Sequence, residues 1–287
     1  MKAIYKRELQ AYFHTMTGYA FISFLMVMAG IYTMYVHFSQ GYSQFEYVIS
    51  SLCFFYLLAV PILTMKAIAE DKKQKTDQLL YSLPFHMTQV VMGKFLAMVT
   101  VLAIPVAELC LIPLILTRLG TISVKIALSA VLGYFLLGCA LIAVGLFLSS
   151  LTENQIVAAV LCFFTLLLCY LMNSLCSLLS ASAITSYTSY LVIILIFAII
   201  LYVMTKNPVF SGSLLVLLET GLSIWYWTKP TAFEGSIQHM LSQVSVFDRL
   251  GNFLNGIFDW TTVVYYVSIM FLFIFLTVQS MEKRRWS

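Results

Sequence analysis

Two carboxylates, Glu108 and Glu219, fall inside long apolar runs. An ionised acid at membrane depth is costly unless it is paired or neutralised, so each is a candidate proton or cation site. The alternatives are a position nearer an interface, or a protonated, hydrogen-bonded acid. Cys162, Cys169 and Cys176 recur every seven residues and share one helix face. A metal or redox stripe would need further ligands at short spacing, and none is there. Small packable side chains account for the three thiols better. The histidines His14, His37, His86 and His239 are scattered. Gly93-Lys94 is the only Gly-Lys pair, with Phe95 after it and Thr88 where a first glycine would stand, so no phosphate-cradling loop is present. No H-E-x-x-H or G-x-S-x-G occurs. The sequence therefore predicts no catalytic residue, no metal site and no cofactor bound by this chain.

What holds these residues is a very apolar chain. Hydrophobic residues make up 61% of it, charged residues 10%, and the mean hydropathy is +0.95. Soluble domains carry about a quarter charged residues. Lipid must be the solvent over most of the length, which predicts an all-α polytopic membrane protein. Eight runs approach spanning length: Thr17–Phe38, Tyr47–Ile68, Phe95–Thr117, Ile126–Leu148, Gln155–Leu175, Tyr187–Thr205, Val209–Trp227 and Thr262–Gln279. The pair around Lys206-Asn207-Pro208 could also form a re-entrant hairpin. Eight crossings put both termini on one side. That side receives twelve Lys and Arg and the other receives four, namely Arg118, Lys125, Lys229 and Arg249. The bias predicts cytoplasmic termini in a plasma-membrane protein, with no cleaved signal peptide and no role for nucleic acid.

The segments between the runs have their own patterns. Residues 1–16 place Ile4, Tyr5, Leu9, Tyr12, Phe13 and Met16 at helical spacing, predicting an amphipathic helix in the cytoplasmic headgroup layer. Residues 17–287 are read as one transmembrane domain. Its outer segment, 229–261, repeats Ile237, Met240, Leu241, Val244, Phe247, Leu254 and Ile257 at a helical period, predicting one or two amphipathic helices. Pro61, Pro105 and Pro113 can kink their helices. Ser129/Gly133 and Gly145/Ser149 are small residues four apart, suited to close helix packing.

The densest charge lies in the cytoplasmic loop 69–94, where Ala69–Asp77 holds six charges: Glu70, Asp71, Lys72, Lys73, Lys75 and Asp77. Thr76 can cap a short helix with Asp77 at its positive end. Leu79, Leu80 and Leu83 then present an apolar patch, and Pro84 ends the turn. A membrane connection needs neither the charges nor the leucines. A docking knob for a cytoplasmic protein explains both.

At this point the chain resembles the membrane subunits of type 2 ABC transporters, in particular their gliding-motility and nitrous-oxide-reductase-maturation branch. The matching residues, in order, are Glu70, Lys72, Lys73, Thr76, Leu79, Leu80, Ser82, Leu83, Pro84, Gly93, Lys94 and Phe95. Lys75 stands where the branch has glycine, and Asp77 where it has glutamate. The start (IYKRELQAYF) and the end (SMEKRRW) are similar to the branch's interfacial helix and its basic-Trp tail. The branch often has six spans, so the eight here are six plus an extra pair. The resemblance implies a permease that pairs with a second permease subunit, the same chain or a different one. It also implies a separate cytoplasmic ABC ATPase that holds ATP and Mg. The coupling helix would be Lys75–Leu83, with Lys75, Thr76, Asp77, Gln78, Leu79, Leu80 and Leu83 as contact residues. The competing reading is a secondary transporter or channel that uses Glu108 and Glu219.

Overall fold

Apolar side chains recurring without interruption over twenty or more residues leave the backbone one economical option in lipid, the α-helix. The computed structural model describes residues 2–75, 86–118, 122–178, 180–205 and 208–286, and among them every regular element is helical. In chain order these are α1 (Lys2–His14), α2 (Met16–Thr33), α3 (Glu46–Thr64), α4 (Ala69–Lys73), α5 (Met87–Leu116) and α6 (Val124–Leu151). Then come α7 (Gln155–Leu178), α8 (Ala183–Thr205), α9 (Pro208–Thr228), α10 (Ser236–Val244), α11 (Gly251–Leu254) and α12 (Trp260–Trp286). A π-helical turn, Met34–Ser39, prolongs α2. Among the described residues, six helices are long and apolar enough to cross a membrane: α2 with its π turn, α3 running on through α4, α5, α6, α7 and α12. α8 and α9 are continuous helices of 23 and 21 residues.

The chain divides into two compact units. The first comprises Met1–Tyr170 and Arg249–Ser287, the second Leu171–Asp248. In the first unit α6 is the central post, packed by α3, α5, α11 and α12. Its residues Leu137, Ala140, Leu141, Ile142, Ala143 and Leu146 are buried, so it has no lipid-facing side over these turns. Small residues make that possible. A Cβ on Gly133 would fall 2.7 Å from the Phe253 side chain, and one on Gly145 would fall 2.5 Å from Thr64 Oγ1. The Gly145/Ser149 spacing thus serves packing within this unit. Tyr56 and Tyr134 stack at 4.3 Å in the same core, and the Tyr56 hydroxyl donates to the Tyr134 carbonyl at 3.1 Å. The opposite face of α12 shows Val264, Val267, Phe271 and Phe275, with Phe271 75% exposed. Large apolar side chains on the outside suit a hydrocarbon solvent.

The prolines do not end their helices. α3 continues through Pro61, and α5 continues through Pro105 and Pro113 for 30 residues. α5 starts at Met87, eight residues before its apolar run, because hydropathy marks the hydrocarbon layer and not the end of the helix. Residues 229–261 are split between the units. They form a nine-residue helix, α10, and a four-residue helix, α11, with 3-10 turns at Pro230–Phe233 and Asp248–Leu250. Ile237 and Phe247 are buried as their period predicts, whereas Met240 and Ile257 are exposed.

Candidate functional site

The charged stretch folds first as α4, a helix of five residues. Glu70 and Asp71 occupy its first turn and Lys72 and Lys73 its last, the order that a helix dipole favours. Its N-terminus is capped from a distance. Ser149 Oγ of α6 accepts the Ile68 N–H at 3.2 Å and the Ala69 N–H at 3.1 Å, and its own proton goes to the Met65 carbonyl at 3.3 Å. Lys72 is buried, and its ammonium donates to the Ser150 carbonyl at the end of α6. The last carbonyls of a helix lack intrahelical donors, so a lysine there meets a real need. Ser280 of α12 approaches the same carbonyl at 3.4 Å.

The second anchor is Lys94 of α5, only 2% exposed. Its Nζ lies 3.0 Å from Glu8 Oε1 of α1 and 2.8 Å from Asp71 Oδ2 of α4. Arg7 joins from the solvent side, with Nη2 2.6 Å from Glu8. The Glu8 carboxylate raises the Arg7 guanidinium above its ordinary pKa by hydrogen bonding to it. A buried ammonium persists only when paired, and here two acids from two other helices supply the pairing. α1 is brought close by contacts on both sides of this node. Tyr5 OH meets Thr100 Oγ1 at 2.9 Å, Tyr12 OH donates to the Leu63 carbonyl at 3.2 Å, and Ile4 lies over Gly93. Burial pushes the Tyr12 phenol up, so it stays a donor. The face of α1 that enters the unit is therefore Ile4, Glu8 and Tyr12, while Met16 is 89% exposed and leaves the expected stripe.

The described segments on both sides of residues 76–85 are thus held in place. Before it, α4 is held by Ser149, Ser150 and Lys94. After it, His86 is extended and α5 begins at Met87. Lys75 is exposed at φ 56°, in the left-handed region. A residue with a Cβ is strained there. Of the residues expected to make contact, Lys75 alone is described. Thr76, Asp77, Gln78, Leu79, Leu80 and Leu83 lie outside the described residues.

The two candidate acids fall in different units. Glu108 on α5 is half-buried, and its Oε2 is a buried oxygen with no hydrogen-bond partner. Glu219 on α9 is also half-buried; the Ser223 hydroxyl bonds its backbone carbonyl at 2.7 Å, not its carboxylate. Cys162 is buried, with Thr64 Oγ1 3.9 Å from its sulfur.

Sequence reasoning took Lys94 as part of the resemblance motif and not as a site residue, and missed Glu8, Arg7 and Ser149 as site residues. One signal was available: Glu8 is the only acid in residues 1–16 and falls between Ile4 and Tyr12 on a helix face.

Six apolar helices of spanning length around a charge-locked end define a multi-pass membrane protein. The family model described as ABC-2 family transporter protein matches residues 10–212, well over half of the chain, and the chain belongs to that family. It is a transmembrane permease component of an ABC transporter. No curated protein and no solved structure matches the chain.

Proposed function

We propose that this chain is the permease subunit of an ATP-driven exporter of the gliding-motility and nitrous-oxide-reductase-maturation type, coupled through loop 76–85 to a separate cytoplasmic ATPase. Both termini and the loop are cytoplasmic, and α8 and α9 form the extra pair that brings the spans to eight. A second permease subunit, the same chain or another, completes the path. ATP and Mg reside on the ATPase. The observation that supports this reading is the Lys94 node. A partner that moves loop 76–85 acts at once on α4, α5 and α1, and through the Ser149 and Ser150 contacts on α6. The ATPase biases the bundle only if it binds the bundle's two states with different free energy, and a stiff base converts loop displacement into helix tilt.

The test is the double substitution Leu79→Asp with Leu80→Asp. The expected result is loss of ATPase co-purification and of stimulated ATP turnover in a folded protein. Unchanged turnover in that protein refutes the assignment. The unpartnered Glu108 oxygen favours a second reading, a secondary transporter that protonates this acid. Transport that survives ATP depletion and collapses with the proton gradient would select it.

A further inference from the structure

A cavity of about 380 Å³ opens beside the Lys94 node, lined by α1, the start of α2, the α3–α4 junction and α5. Volumes near this size hold small ligands. Its height is set by the spans. Thr17 lies in the first turn of α2, and Lys66 lies two residues past the end of α3, so the cavity stands where the helices leave hydrocarbon for the headgroup layer. Met16 and Tyr19 at the same end of α2 are strongly exposed apolar side chains, as that boundary requires.

Its charges divide into two groups. Arg7, Glu8, Lys94 and Asp71 satisfy one another. Lys66 and Glu70 remain. The Glu70 N–H donates to the Lys66 carbonyl at 3.4 Å, so the two residues stand one turn apart. Even so, no ion pair joins their side chains. Among the described residues the Lys66 ammonium has no hydrogen-bond or ion-pair partner, and the Glu70 carboxylate is met by the neutral Gln74 amide at 3.1 Å. The cavity therefore offers one cation in need of an anion and one acid in need of a cation.

We infer that this cavity binds the headgroup of a phospholipid carrying both a phosphate and a primary amine. The phosphate meets Lys66, and the ammonium donates to Glu70. An anionic phosphoglycerol headgroup satisfies Lys66 and leaves Glu70 facing negative charge. A choline headgroup has no N–H to give Glu70. The inference goes beyond the ATPase-coupling reading and does not depend on which side of the membrane this end faces.

The experiment is native mass spectrometry of the full-length protein in detergent, supplied in turn with phosphatidylethanolamine, phosphatidylcholine and phosphatidylglycerol, and with soluble phosphoethanolamine as a free headgroup. Retained phosphatidylethanolamine is expected to exceed the other two lipids. Lys66→Met should lower its retention by about ten-fold, the scale of one lost charge-assisted hydrogen bond. Glu70→Gln should abolish the preference for ethanolamine over choline while phosphate-dependent binding persists. If Lys66→Met fails to fold, the lipid series on the unaltered protein and on Glu70→Gln still decides. Equal retention of the three lipids, or full retention in folded Lys66→Met, overturns the inference. Displacement by soluble phosphoethanolamine at the lipid's own affinity overturns the lipid as the source of the headgroup.

Discussion

The two compact units are held together by different physics. The first is locked by buried polar groups: Lys94 between Glu8 and Asp71, Lys72 on the Ser150 carbonyl, and Ser149 capping α4. Among its described residues the second has no such buried charge. Its centre is Phe233, buried on a 3-10 turn and met edge-on by Tyr190, Trp225 and Tyr226, with Tyr187 stacked on Tyr226 at 4.6 Å. Hydroxyl pairs complete it, Tyr187–Ser223 at 3.0 Å and Tyr190–Ser236 at 2.8 Å. Among the described residues, no ion pair joins side chains of the second unit. Aromatic packing is tolerant of small shifts. A buried ion pair is not, since separating the charges in a low-dielectric site is expensive. The difference teaches that stiffness is concentrated in the helices on either side of residues 76–85.

Substitutions can break or sharpen that contrast. Lys94→Met should have the largest effect. It removes the cation that Glu8 and Asp71 share, and its cost of about 4 kcal/mol should appear as a lowered thermal midpoint and as proteolysis near α1. A midpoint close to that of the unaltered protein would show that the node is not what stiffens this end. Phe233→Ala comes next, at about 3 kcal/mol for an emptied aromatic site. Protease sensitivity should rise in Leu171–Asp248 while α1 stays protected. Lys75→Gly should run the other way. Relief of the left-handed strain stabilises the turn by about 1 kcal/mol, readable as slower hydrogen exchange at Gln74.

The smallest effect is expected at Asp259, which stands in solvent just before α12. Its carboxylate accepts the Thr261 N–H at 2.9 Å, the Thr262 hydroxyl at 3.0 Å and the Asn252 amide at 2.9 Å, and these bonds pull its pKa down to about 2. A depressed acid contributes stability above its unfolded pKa and loses it as pH falls through the folded one. The cap should therefore hold at neutral pH and release between about pH 4 and 2. Hydrogen exchange at Thr261 reads the transition, and Asp259→Ala should remove it.

Much of the first unit was legible in the residues. Hydropathy marked eight runs, six of which are the helices of spanning length, the helical period found α1, and the small-residue spacing at Gly145/Ser149 marked a close helix contact, which falls on Thr64. The site was legible only in part. Charge density marked α4, but no local pattern joins Glu8, Asp71 and Lys94, which lie on three helices that meet only after folding. Ser149 escaped for a related reason: a serine caps by its place in space, and here it caps a helix distant in sequence. Phe233 was hidden because a single aromatic on a 3-10 turn has no period to betray it.

The order of the node along the chain has a consequence for biogenesis. Glu8 and Asp71 both precede Lys94. During synthesis both acids leave the ribosome before the amine that neutralises them, so α5 enters the bilayer with its counter-charges already waiting at the interface.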